Sequence, residues 1–167
     1  MWKMPHGKIS TKRIAVCGLL ISLALIFGFV EKLIPFEFLT YGFKIGFANI
    51  VVVFALYKLN TLDAFVVSFF KIVLCAISFG GPVYLFYSLS GGLLSFVVML
   101  LLKNKLHVVT VSILGSVFFN IGQIVCASIL LSTNVIYSYL PVLMVVGIIT
   151  GAVIGLISNT AINRIKI

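Results

Sequence analysis

Lys71 stands in the run Phe69-Phe70-Lys71-Ile72-Val73, near the middle of a long apolar stretch. An ionisable side chain buried in hydrocarbon costs at least ~2.5–3.5 kcal/mol on insertion scales unless it is solvated or paired. Two arrangements relieve that cost. The ammonium either snorkels to the headgroups or faces a polar cavity and holds an anionic or carbonyl-rich ligand. Glu31, Glu37 and Asp63 all fall at helix ends or in loops, so no acid within the apolar segments neutralises Lys71. The depth of the lysine makes snorkelling strained and favours the cavity.

Asn120 and Gln123 follow in Phe118-Phe119-Asn120-Ile121-Gly122-Gln123. Their i, i+3 spacing puts both amides on one helix face, where they either bond a neighbouring helix or line a pocket with Lys71. Asn49, in Gly46-Phe47-Ala48-Asn49, is either a local cap or a further pocket residue. Glu31 and Lys44 bracket a long connection rich in aromatics, and Tyr84 and Tyr87 lie near the same end of the chain's apolar segments. An interfacial aromatic belt is the plain reading. A lid over 31–44 is the alternative, since long ordered loops in compact domains often serve that way. The predicted pocket therefore comprises Lys71, Asn120, Gln123 and Asn49, with Glu31 and Lys44 at its lid and Tyr84 and Tyr87 as stacking or shielding rings.

Other chemistries lack their residues. The sequence has no D-D-x-x-D run to hold Mg²⁺ on a diphosphate and no G-x-x-x-x-G-K-[ST]. His6 and His107 are peripheral, so no Ser-His-Asp set and no metal cluster is expected. Cys17, Cys75 and Cys126 sit singly in apolar segments and read as small buried hydrophobes. The expectation is a protein that is not an enzyme and carries no cofactor.

The elements that position these residues follow from composition. Of 167 residues, 62% are hydrophobic and 9% charged, against about half and a quarter in soluble domains. Water cannot solvate such a surface, and the length suits one domain over 1–167. An all-α, polytopic membrane bundle is expected. The net charge of +9 could attract nucleic acid, but the basic residues sit between apolar blocks and so serve orientation.

The apolar blocks are Ile14–Leu33, Ile45–Leu59, Leu62–Phe79, Pro82–Leu102, His107–Leu131 and Tyr139–Ile162. Most approach the roughly 20 residues that cross a bilayer; the second is short and must pack against neighbours or lie partly in the interface. The first imitates a secretory signal, but no A-x-A-like site follows it, so it is taken as a transmembrane helix. With a cytoplasmic N-terminal segment 1–13, that side holds Lys3, Lys8, Lys12, Arg13, Lys58, Lys103, Lys105, Arg164 and Lys166. Only Lys32 and Lys44 fall outside, which predicts six transmembrane helices with both termini cytoplasmic. Gly147, Gly151 and Gly155 give the last helix a nearly bare face for close packing. Ala15, Gly18 and Ser22 give the first helix a similar face, for internal packing or for docking a membrane partner.

Taken in order, several short stretches resemble a known family. They are Glu31-Lys32-Leu33-Ile34-Pro35, Lys44-Ile45-Gly46-Phe47-Ala48-Asn49-Ile50, Ser78-Phe79-Gly80-Gly81, Tyr87-Ser88-Leu89-Ser90-Gly91-Gly92, Asn120-Ile121-Gly122-Gln123 and Tyr139-Leu140-Pro141. The sequence resembles heptaprenyl diphosphate synthase component I, also called the Gx transporter family, itself similar to S components of energy-coupling factor (ECF) transporters. The resemblance implies a six-helix subunit that captures a small vitamin-like or cofactor-precursor molecule, flavin-like or isoprenoid- and quinone-related, from outside. It also implies docking, through Ala15, Gly18 and Ser22, on a T component carried by two cytoplasmic ATPases. The family pattern often has Arg at the place of Lys71 and His at the place of Phe119; Lys keeps the charge without the planar fork. The alternative is a non-catalytic membrane accessory of a polyprenyl (heptaprenyl) diphosphate synthase.

Overall fold

A computed structural model of the chain describes residues 11–33, 46–132 and 134–165. Six α-helices follow one another: α1 (Thr11–Leu33), α2 (Asn49–Lys58), α3 (Thr61–Phe79), α4 (Pro82–Leu102), α5 (Val108–Leu131) and α6 (Leu140–Arg164), the last preceded by a 3₁₀ helix at Asn134–Tyr139. All but α2 are long and apolar enough to cross a membrane. Ile77 and Ile129 are 75% and 73% exposed, and large apolar side chains ring the outside of the bundle. The protein is a multi-pass membrane protein.

The breaks between helices have local causes. Gly81, at φ +89°, adopts a conformation closed to most side chains, and Pro82 then opens α4 with its φ already helical. Asp63 in the first turn of α3 and Lys32 in the last turn of α1 complement the helix dipoles. Ser132 ends α5 in the left-handed region.

Around the bundle the helices run α1, α3, α4, α5, α6, α2, with α2 also packed on α3. At ten residues α2 rises only about 15 Å, half of the ~30 Å hydrocarbon core. It is packed among α1, α3 and α6, and every residue from Asn49 to Leu56 is buried. The expected second span over 45–59 is therefore a half-length internal helix. Gly46, at φ +88°, and the turn that follows delay the helix until Asn49.

Where two helices meet on backbone, glycine is the reason. A Cβ on Gly151 or Gly155 of α6 would stand 2.7 Å from the Cα of Ile113 or Val109 on α5. Gly147 of the same row lies against Ser116 and Asn120 of α5. Gly122 of α5 faces Gly91 of α4 in the same manner, at 2.8 Å from Cα. In lipid, where tails compete for apolar contact, this proximity is how helices gain dispersion energy. At one end of the bundle Arg13 of α1 grips Asp63 of α3, its Nε 2.7 and 2.8 Å from the two carboxylate oxygens. Lys103, just past the end of α4, reaches Thr61 at the same end, 3.2 Å away.

Gly151→Leu should separate α5 from α6 and cost about 1–3 kcal/mol, the usual penalty of overpacking. Thermal unfolding of the detergent-solubilised variant measures it.

Candidate functional site

Lys71 sits midway along α3 with only 6% of its surface exposed. Its Nζ donates to Asn49 Oδ1 at 2.6 Å. The short α2 makes this possible: α2 and α3 run as an antiparallel hairpin, so Asn49, the first residue of α2, comes level with the middle of α3. One turn earlier the Gly46 N–H donates to Glu31 Oε1 at 2.7 Å, at the end of α1. The Asn49 N–H in turn donates to the Gly46 carbonyl at 2.7 Å. A Cβ on Gly46 would stand 2.9 Å from Asn49 Nδ2, so this turn needs glycine for its space as well as its φ. Carboxylate, turn, carboxamide and ammonium thus form one continuous polar network across α1, α2 and α3.

The network borders a hollow of about 20 Å³ lined by Gly28, Glu31, Gly46, Ala48, Lys71, Ile72, Cys75, Tyr84, Ser88 and Phe119. A hollow of that volume has room for about one water. Tyr84 is the one described lining residue that is not buried, and its ring lies over the bare backbone of Gly80. The Ser88 hydroxyl is buried and has no hydrogen-bond partner among the described residues.

The sequence-predicted residues divide accordingly. Lys71, Asn49, Glu31 and Tyr84 come together at the hollow. Glu31, expected at a lid, is buried within the bundle's polar network with 7% exposure, so an acid does reach the compartment of Lys71. Lys44 and the rest of the expected lid lie outside the described residues.

The amide pair is elsewhere. Asn120 Nδ2 donates to the Leu143 carbonyl at 2.7 Å, bonding α5 to α6. Gln123 is wholly buried against Gly91 of α4, and neither of its amide atoms has a partner among the described residues. One residue is about 100° of helix rotation, and α5 turns Phe119 rather than Asn120 toward the hollow. Tyr87 is buried in a separate apolar cluster with Ile124, Ala127, Ile136 and Leu143.

Ser88 and Cys75 were not foreseen, although the periodicity points to them. Cys75 lies four residues from Lys71 and Ser88 four from Tyr84, the spacing that stacks side chains on one helix face. Among the described residues no group of three or more His, Cys, Asp or Glu side chains could hold a metal ion.

Asn49→Ala removes one acceptor from a buried ammonium. A hydrogen bond to a charged group contributes about 1.5–3 kcal/mol, and the variant should lose stability of that order in detergent melts.

A crystal structure of an S-component of an ECF transporter superposes with a TM-score of 0.67 at 21% identity, covering 93% of this chain and 85% of that one. The two therefore share a fold. Among curated proteins none matches the chain. The family model described as heptaprenyl diphosphate synthase component I matches residues 20–161, nearly the whole of the membrane bundle. The chain belongs to the heptaprenyl diphosphate synthase component I family.

Proposed function

We propose that the chain is a membrane-embedded, substrate-binding subunit of an ECF-type transporter, an S component, and is not itself an enzyme. The observation that carries the reading is the network of Lys71, Asn49, Gly46 and Glu31 around a hollow inside a bundle with the S-component fold. A membrane protein tolerates buried charge where the charge has work to do, and here it faces an internal compartment.

Orientation follows from charge. Lys12, Arg13, Lys58, Lys103, Lys105 and Arg164 gather at the end of the bundle where the Arg13–Asp63 pair sits, and among the described residues only Lys32 lies at the other end. The positive-inside tendency puts the basic end in the cytoplasm of a bacterial cell. The hollow, between the C-terminal halves of α1 and α3 and the first turns of α4, then lies in the outer half of the membrane. A small vitamin-like or cofactor-precursor molecule would be captured there from outside.

The face of α1 supports a partner. Ala15, Gly18 and Ser22 are all exposed, and a Cβ on Gly18 would meet nothing within 4 Å. Beside them an apolar groove of about 490 Å³ runs between α1, α2 and α6. A T component bearing two cytoplasmic ATPases would dock on this surface. The second reading, a non-catalytic accessory of a heptaprenyl diphosphate synthase, has the family's description behind it, but no side chain among the described residues speaks for it.

Co-expression with a T component and its ATPases, followed by affinity purification of this chain, tests the reading. The transporter proteins should co-purify. Gly18→Trp should leave the melting temperature unchanged, because the new side chain enters open space, and reduce recovery of the partners about tenfold, or ~1.4 kcal/mol. Co-purification of a prenyl synthase in their place would contradict the proposal.

A further inference from the structure

The hollow beside Lys71 has a charge balance that bears on what can enter it. Glu31 and Lys71 both line it, 7% and 6% exposed, so its described wall carries one carboxylate and one ammonium. The remaining described lining side chains are uncharged. A phosphate or carboxylate brought into this compartment would meet one cation already offset by Glu31, and a cationic guest would meet the converse. Among the described groups either guest leaves one charge without a counter-charge, a costly arrangement in a low-dielectric interior.

Two further features describe a guest. The Ser88 hydroxyl, 5% exposed and without a partner among the described residues, borders the same hollow. A hydroxyl both donates and accepts, and a buried one without a partner marks a place where a polar group belongs. Tyr84 and Phe119 bring two aromatic rings to the lining, side chains that pack well against a ring or another planar group.

We infer that the site takes a small, planar guest of zero net charge that presents a hydrogen-bond donor beside an acceptor, as the edge of a cyclic imide, a lactam or a primary carboxamide does. This inference rests on the capture role proposed above. The guest's acceptor turns to Lys71, its donor to Glu31, and Ser88 completes the polar edge. A volume of about 20 Å³ admits such a molecule only when a wall moves, and Tyr84 is the described lining residue that is not buried. An isoprenoid diphosphate fits neither the charge nor the shape.

Thermal unfolding of the full-length, detergent-solubilised chain with four probes at equal concentration tests the inference. The probes are uracil and nicotinamide as neutral guests, inorganic pyrophosphate as the anion and choline as the cation. At least one neutral probe should raise the unfolding midpoint, while pyrophosphate and choline leave it in place. Ser88→Ala, which removes one oxygen that bonds no described residue, should weaken the neutral probe about tenfold through one lost hydrogen bond. Glu31→Gln should gain a response to pyrophosphate. If that variant does not fold, the wild-type and Ser88→Ala measurements decide the matter. A wild-type response to pyrophosphate or choline, no response to either neutral probe, or undiminished binding in Ser88→Ala overturns the inference. Such a result leaves the transporter reading standing, because that reading is judged on which proteins co-purify.

Discussion

A lysine ammonium inside an apolar bundle has to be solvated by something. Here the carbonyl oxygen of Asn49 does so at 2.6 Å, and much of the architecture follows from delivering it. The carboxamide must arrive at the middle of α3, so α2 can be no longer than the ten residues that separate that level from the basic end. A ten-residue helix cannot cross a bilayer and is stable there only when surrounded, which is why α2 is buried along nearly all of its length. The chain must also enter α2 deep in the protein, where its backbone amides need partners that water does not supply. Glu31 provides one of them at Gly46, and Gly46 itself supplies the sharp turn.

The rest of the bundle is built to hold this arrangement still. The glycine contacts of α5 with α6 and with α4 bring backbones almost into touch, leaving few ways for those helices to slide. Asn120, bonded to the Leu143 carbonyl, locks the same pair at the level of the site. At the opposite end Arg13 and Asp63 fix the base of α1 to α3, while α1 itself remains the most exposed of the membrane-crossing helices. A rigid block with one weakly embedded helix is a form suited to docking, since the docking face can be bare without loosening the site.

The helices and their order were legible in the sequence because apolar length and Gly/Pro punctuation are local signals. Lys71 and Asn49 were legible because polar residues are costly in lipid. The mutual placement of the polar groups was not, because it depends on rotations that a single helix does not declare. Asn120 and Gln123 share a helix face, yet that face looks toward α6 and α4, and the neighbouring Phe119 meets the hollow instead. Glu31 reads as a loop-side acid by position, but the half-length α2 brings the entry turn down to it. Ser88 and Cys75 carry too little polarity to stand out, and only their four-residue spacing from Tyr84 and Lys71 marks them.

Native mass spectrometry of the gently solubilised protein, wild type against Lys71→Met, tests the central claim most directly. Methionine keeps the length and apolar stem of the side chain while removing the charge. The account predicts that the wild type carries a small organic molecule and that the folded variant carries none. A bound molecule retained equally by both, or a wild type that holds nothing even when purified from rich medium, would contradict it.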